Sequence, residues 1–224
     1  MSHVRTSRVI TLMIAIVMAL VLAIAATGCS AKKSAKPDNS GSSQESTSTG
    51  EQAKKDTAKS GIEVARAALS TSAPEAKLLM VQTATAVSAT STPVWGYLFG
   101  SPKTDKTYVV YVVNGEVMRS GEYGKAGMSA KDWAQVGAAD AFKIDSDEAY
   151  TRALAVSGAK QGAAPPRYLM GLQTYVSPDT AKKTGAAPYT WYVVFDPGAS
   201  GATSSTIDVD GNTGKALVHP TKKK

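Results

Sequence analysis

The sequence predicts an α+β fold of two similar units, each a helix packed on an antiparallel β-meander, following a signal peptide and a disordered linker. Three observations lead there. Strand-like stretches occur in two series with the same order and similar spacing. Each series is led by a stretch with the apolar spacing or the capping chemistry of a helix. Ahead of both, residues 31–60 hold no aromatic and almost no branched aliphatic side chain, so they cannot bury enough apolar surface to offset chain entropy. A helix followed by antiparallel strands, twice, places the helices on one sheet face.

Residues 1–28 read as the signal peptide. Arg5 and Arg8 stand near the start with no acid, Val9 to Ala26 carry no charge, and small residues run up to Cys29. The apolar stretch, 18 residues, exceeds the about 7–15 of an ordinary h-region and borders on a spanning length, so an uncleaved N-terminal anchor is the alternative reading. Residues 29–60 are the tether, with room for a frayed helix within 52–60.

The first unit covers 61–123. Ile62, Ala65, Ala68 and Leu69 fall on one helical face. Leu79–Thr83 reads as strand, a loop ends at Pro93, Trp95–Phe99 is a second strand, and Tyr108–Met118 is a hairpin around Asn114-Gly115, both of which must take positive φ. The second unit covers 124–219 and begins with a short helix from Ala130 to about Phe142, opened by Ser129 and carrying Trp133. Asp145-Ser146-Asp147-Glu148 then caps a longer helix running to Gly158. Leu169–Thr174, a loop ending at Pro188, Trp191–Phe195 and Thr206–Leu217 repeat the order of the first series, the last pair turning through Asp210–Gly214. Residues 220–224 are a basic tail. Alternation puts Trp95, Tyr97 and Phe99 on one face, and Trp191, Val193 and Phe195 on one face, which assigns both tryptophans to the core. Tyr189 shares the parity of Trp191, whereas Tyr192 points the other way. If one sheet face lacks helices, Tyr192 and the neighbours of Tyr97 are candidates for partner contact, with Tyr175 a further aromatic on that list.

Cys29 is the single cysteine, and Ala25-Ala26-Thr27-Gly28-Cys29-Ser30 resembles the lipobox of bacterial lipoproteins. The resemblance implies cleavage before Cys29 and acylation of its sulfur, including a palmitate-type chain, with the membrane lipid as the first partner. Ala26 stands where leucine is commoner. Each buried methylene contributes about 0.8 kcal/mol, so two or more chains hold firmly. Lipidation would leave no free thiol, and a single cysteine forms no internal disulfide.

The second unit is similar to the PepSY family. The likeness rests on Asp147-Glu148-Ala149 opening an alanine-rich helix, the Trp191–Phe195 strand, and Ile207–Lys215 as a closing hairpin. The first unit follows the same order more loosely, ending in Asn114-Gly115-Glu116-Val117. The resemblance implies exported, non-catalytic binding units that modulate a neighbouring envelope protein such as a peptidase.

Several chemistries are disfavoured by composition. Of two histidines, His3 lies in the leader and His219 in the tail, which removes a Ser-His-Asp triad and a His/Cys zinc site from the fold. Ser157–Lys160 has the Ser-x-x-Lys form and Lys183-Thr184-Gly185 the Lys-Thr-Gly form of penicillin-interacting enzymes, but Ser-Asp-Asn is missing and the spacing is too short. Asp208, Asp210 and Asn212 alternate like calcium ligands, yet Thr213 and His219 occupy the places of the required Gly and Glu, so they read as a turn. The net charge is +7, and removal of Arg5 and Arg8 leaves +5. Lys32, Lys33 and Lys36 beside the anchor and Lys222, Lys223 and Lys224 at the end supply that excess, which argues for solvated tails and against nucleic acid. The expectation is a non-catalytic cell-envelope lipoprotein, extracytoplasmic and held to the membrane through Cys29, without metal or cofactor, that binds another envelope protein. The alternative is an accessory lipoprotein binding a small ligand or peptidoglycan, which a pocket between the units would favour.

Overall fold

The computed structural model describes residues 56–88, 90–157, 166–196 and 206–218. The leader, Cys29, the tether up to residue 55, Gly158, Lys160, His219 and the basic tail lie outside them.

The described chain runs α1 (Ile62–Ala67), β1 (Lys77–Thr83), β2 (Trp95–Ser101), β3 (Lys106–Val113), β4 (Glu116–Lys125), α2 (Ala130–Gln135), α3 (Ser146–Val156), β5 (Tyr168–Gln173), α4 (Pro178–Thr184), β6 (Thr190–Phe195), β7 (Thr206–Asp210) and β8 (Ala216–Val218). The strands form one eight-stranded sheet in the order β4-β3-β2-β1-β5-β6-β7-β8, antiparallel throughout. Two meanders therefore run outward from a shared centre. The central pairing sets Met80 against Gln173, Val81 against Leu172 and Gln82 against Gly171. Had each unit kept its own sheet, β1 and β5 would present bare edges of unpaired N–H and C=O groups on apolar strands, and joining them removes both edges.

One face carries α1 and α3. α1 lies against β3 and β4, and α3 against β6, β7 and β8. Across this face runs a row of directly opposed side chains, Val110, Tyr97, Val81, Leu172, Trp191 and Val209, all without solvent exposure. Ala149 and Ala153 of α3 are fully buried, small enough to bring that helix close to the sheet. The other face carries alternate residues of the same strands, including Gly96, Leu98, Gly171 and Tyr192, and among the described residues it has no long helix over it, only Trp133 of the short α2 beside Gly100.

The two hairpin turns follow sequence expectation. Asn114 and Gly115 take φ of 52° and 74°. At the second turn, Asp210 Oδ1 accepts from the backbone N–H of Asn212 (2.8 Å) and Thr213 (2.9 Å), and Gly214 takes φ 71°. Those two amides hold the Asp210 carboxyl below its ordinary range, which is turn chemistry rather than cation ligation.

Several elements differ from expectation. α1 is shorter than its apolar spacing suggests. Leu69 N–H bonds Arg66 C=O at 3.0 Å, an i→i+3 step that tightens the last turn, buries Leu69 and leaves Ala68 exposed. α2 stops at Gln135 instead of reaching Phe142. Val136 leaves the helix with ψ 113°, and the chain passes Tyr189, whose hydroxyl donates to the Ala138 carbonyl at 2.9 Å. Tyr189 itself precedes β6 with φ 57°, so strand parity does not govern it, and it is only partly buried. α4 was not anticipated. Ser177 caps it through Thr180 N–H, Pro178 opens it and Gly185 closes it at φ 71°, which makes Lys183–Gly185 a helix end. The tether ends earlier than residue 60. Ala58 is fully buried, its N–H donating to Ser146 Oγ at 3.0 Å, while its carbonyl accepts from Tyr97 hydroxyl at 2.8 Å. Among the described residues no helix is long and apolar enough to cross a membrane.

Candidate functional site

The segment Asp56–Ser60 closes a cleft on the helix-bearing face where the two meanders meet. Thr57 and Ser60 lock it into a turn by mutual bonds: Thr57 N–H to Ser60 Oγ (3.1 Å), Ser60 N–H to Thr57 Oγ1 (3.3 Å) and Ser60 hydroxyl to Thr57 C=O (2.8 Å). Trp95 Nε1–H donates to Asp56 C=O at 3.2 Å, fixing the segment over β2. Asn114 N–H donates to Asp56 Oδ2 at 2.7 Å, drawing the same residue toward the β3–β4 turn. Lys59 N–H reaches Asp145 Oδ1 at 3.1 Å. The first residues of the described chain are thus pinned to the first meander and to the start of α3.

The opposite wall is the first turn of α3. Asp145 caps it, accepting from Ser146 N–H at 2.6 Å. Beyond the cap, Ser146, Asp147, Tyr150 and Thr151 line the cleft. The lip is the loop before β2, at Thr90–Pro93, where Ser91 and Ser88 hydroxyls lie 2.6 Å apart. Trp95, Tyr168 and Met170 form the floor. The open cleft has a volume of about 440 Å³, within the range of small-molecule sites.

Two polar atoms on lining residues stand out. Asp56 Oδ1 and Tyr150 hydroxyl are buried and have no hydrogen-bond partner among the described residues. An unmet buried polar atom costs about 1–3 kcal/mol, and more when charged. Burial pushes the Tyr150 phenol above its ordinary pKa, and burial followed by the neighbouring Tyr150 does the same at Tyr168. Tyr97, just behind Asp56, is raised by burial first and then by the negative charges of Asp56 and Asp145. All three phenols keep their protons at neutral pH, and Tyr97 already donates its own to Ala58 C=O. Among the described residues the lining holds two carboxylates, Asp56 and Asp147, and no lysine, arginine or histidine. Lys59 sends its ammonium away, donating to Phe142 C=O at 3.0 Å and lying 5.2 Å from the Phe142 ring centroid.

Of the residues that sequence reasoning singled out, Trp95 contributes to this cleft and Trp191 does not. Trp191 is fully buried, donates to Ile144 C=O at 2.8 Å and meets Phe142 edge-on at 5.7 Å. Tyr192 lies on the opposite face, as expected, but it is not a free contact residue. It stands directly opposite Gly171 and its hydroxyl donates to Gln82 Oε1 at 2.9 Å. A methyl group at Gly171 would come within 2.4 Å of that hydroxyl oxygen, so the ring lies across the glycine. Its pKa is pushed up to about 12 by burial. Tyr175 is likewise engaged, donating to Asp132 Oδ1 at 2.7 Å. Tyr97 is core. Asp56 and Tyr150 were missed. Asp56 was assigned to the tether on composition, and nothing in its own neighbourhood in the sequence marks it otherwise. Tyr150 follows a well-marked helix start, but no motif distinguishes it.

Neither a protein-family model nor a curated protein sequence matches the chain. Among solved structures it is similar to a crystal structure of "a putative lipoprotein" from Clostridium difficile 630. Identity is 11%, the TM-score is 0.36, and the match covers 65% of this chain and 82% of that one. A likeness that distant does not bear on function.

Proposed function

We propose that the chain is a non-catalytic binding lipoprotein of the cell envelope, exported behind residues 1–28, anchored through lipid on Cys29, and presenting its cleft beyond the membrane. One observation carries the anchor. The only cysteine stands directly after an uncharged apolar stretch and a run of small residues, following a basic start. The cleft supports binding as the task of the folded part, because its lining carries polar atoms that nothing in the described fold satisfies. The non-catalytic reading is supported by the partners of two cleft hydroxyls: Ser146 Oγ accepts from Ala58 N–H, and Ser91 Oγ lies beside Ser88 Oγ, neither of them a general base. The two outward-running meanders, each with a helix on the same face, support the reading of two PepSY-like units. Within that reading the pocket between the units favours a bound ligand group over a flat protein–protein contact. Replacement of Cys29 by alanine tests the anchor. The protein should leave the membrane fraction and appear in a soluble fraction, folded. Full retention in the membrane would mean that the apolar leader itself holds it.

A further inference from the structure

We propose that Asn114 is a site of spontaneous deamidation, and that its conversion loosens the Asp56 end of the segment that walls the cleft. Asparagine is chemically labile where the backbone nitrogen of the next residue can reach its side-chain carbonyl. Here the Gly115 nitrogen attacks Cγ of Asn114. The side-chain nitrogen leaves as ammonia, taking the Gly115 amide proton with it, and a succinimide ring remains. Water then opens the ring. Breaking the new bond gives aspartate, and breaking the original peptide bond gives isoaspartate, with the chain running through Cγ. The chain has three asparagines, Asn39, Asn114 and Asn212. Asn39 precedes Ser40 and lies outside the described residues. Asn212 precedes Thr213, whose branched side chain crowds the attacking nitrogen, and that N–H donates to Asp210 Oδ1 at 2.9 Å. Asn114 precedes glycine. Both residues of its turn are exposed, and among the described residues nothing lies within 4 Å of where a Gly115 Cβ would stand. Without a Cβ, Gly115 can follow as the peptide between the two residues rotates to close the ring.

The turn is tied to the cleft wall. Asn114 N–H donates to Asp56 Oδ2 at 2.7 Å. Aspartate at 114 places a second negative charge on the very residue that holds the first, and like charges at short range repel. Isoaspartate does more. It adds a backbone carbon inside a turn whose flanking residues, Val113 and Glu116, pair directly, so the hairpin cannot keep both its register and its bond to Asp56. Either product weakens the hold on Asp56, whose carbonyl accepts from the Trp95 indole at 3.2 Å. That indole N–H is the reporter.

Full-length protein in detergent micelles is aged in mildly alkaline buffer and sampled over time. Peptide mass and fragmentation follow the three asparagines, and NMR follows the indole N–H resonances of Trp95, Trp133 and Trp191. Asn114 should convert several-fold faster than Asn212, with isoaspartate among its products. In step with that conversion the Trp95 resonance should give way to a shifted one, while that of Trp191, bonded to Ile144 C=O, stays in place. Asn114→Asp should show a shifted Trp95 resonance from the start. Asn114→Gly keeps the positive φ and the backbone N–H but removes the reacting carbonyl, so it should hold the Trp95 resonance of fresh protein throughout. Conversion of Asn114 no faster than that of Asn212 would overturn the site. A Trp95 indole unmoved in the aged protein would overturn the link to Asp56, and one that moved as far in aged Asn114→Gly would place the cause elsewhere.

Discussion

The two faces of the sheet are built from alternate residues of the same strands and solve the problem of coverage differently. On the helix-bearing face the row Val110–Tyr97–Val81–Leu172–Trp191–Val209 is sealed by α1, α3 and the Asp56–Ser60 segment. One residue along each strand, the row Tyr111–Gly96–Gln82–Gly171–Tyr192–Asp208 faces the other way. There the sheet covers itself. Tyr111 lies beside Gly96, whose added methyl would stand 3.2 Å from the ring, and Tyr192 lies across Gly171. A glycine leaves the pleat bare and an opposed aromatic ring shields it, a cross-strand arrangement known to rescue glycine in sheets. The lesson is that an exposed-looking tyrosine on the face away from α1 and α3 is here part of the fold, whereas the unmet groups lie on the face that those two helices cover.

The largest test of the contrast is Trp191→Ala. It removes a fully buried ring and its bond to Ile144 C=O, and should cost about 3–5 kcal/mol in urea unfolding. Next comes Gly171→Ala on the open face. The new methyl must displace Tyr192, and a loss of about 1–3 kcal/mol is expected. A neutral result would mean that the tyrosine lies loosely and that the open face is free for contact after all. Tyr192→Phe keeps the ring and drops only the bond to Gln82, for about 0.5–1.5 kcal/mol.

How much of this was legible in the sequence divides along the same line. The core row was readable because period-2 alternation marks Trp95, Tyr97 and Phe99, and Trp191, Val193 and Phe195, without any tertiary knowledge. The turns were readable because positive φ needs Asn-Gly or a glycine. The joining of β1 to β5 was not, because long-range pairing leaves no local signal. The site failed for a related reason. Asp56 works through contacts with Trp95 and Asn114 that are remote in sequence, and its own neighbourhood is as polar as the tether. The helix ends at Ala67 and Gln135 go with tertiary placement, the tightened last turn that buries Leu69 and the passage of the chain beside Tyr189.

The smallest expected effect is a pH dependence at the rim of the sheet. Bonds from Ser129 hydroxyl and then Tyr175 hold the Asp132 carboxyl below its ordinary range, against a small opposing effect of burial. Its folded pKa is therefore lower than its unfolded one. The stabilisation is complete above the unfolded value, about 4, and fades as pH falls through the folded value. Asp132→Asn should accordingly lower the melting temperature slightly at neutral pH, with the gap to the parent protein closing as the solution is acidified. A gap that widened in acid would reverse the sign of this account.

The central claim is that the fold hangs from lipid on one sulfur, and the mass of the N-terminal peptide of the protein taken from bacterial membranes tests it most directly. The account predicts a chain beginning at Cys29 and carrying a diacylglyceryl group. An N-terminal peptide that still contains residues 1–28, or an unmodified Cys29 thiol, would contradict it.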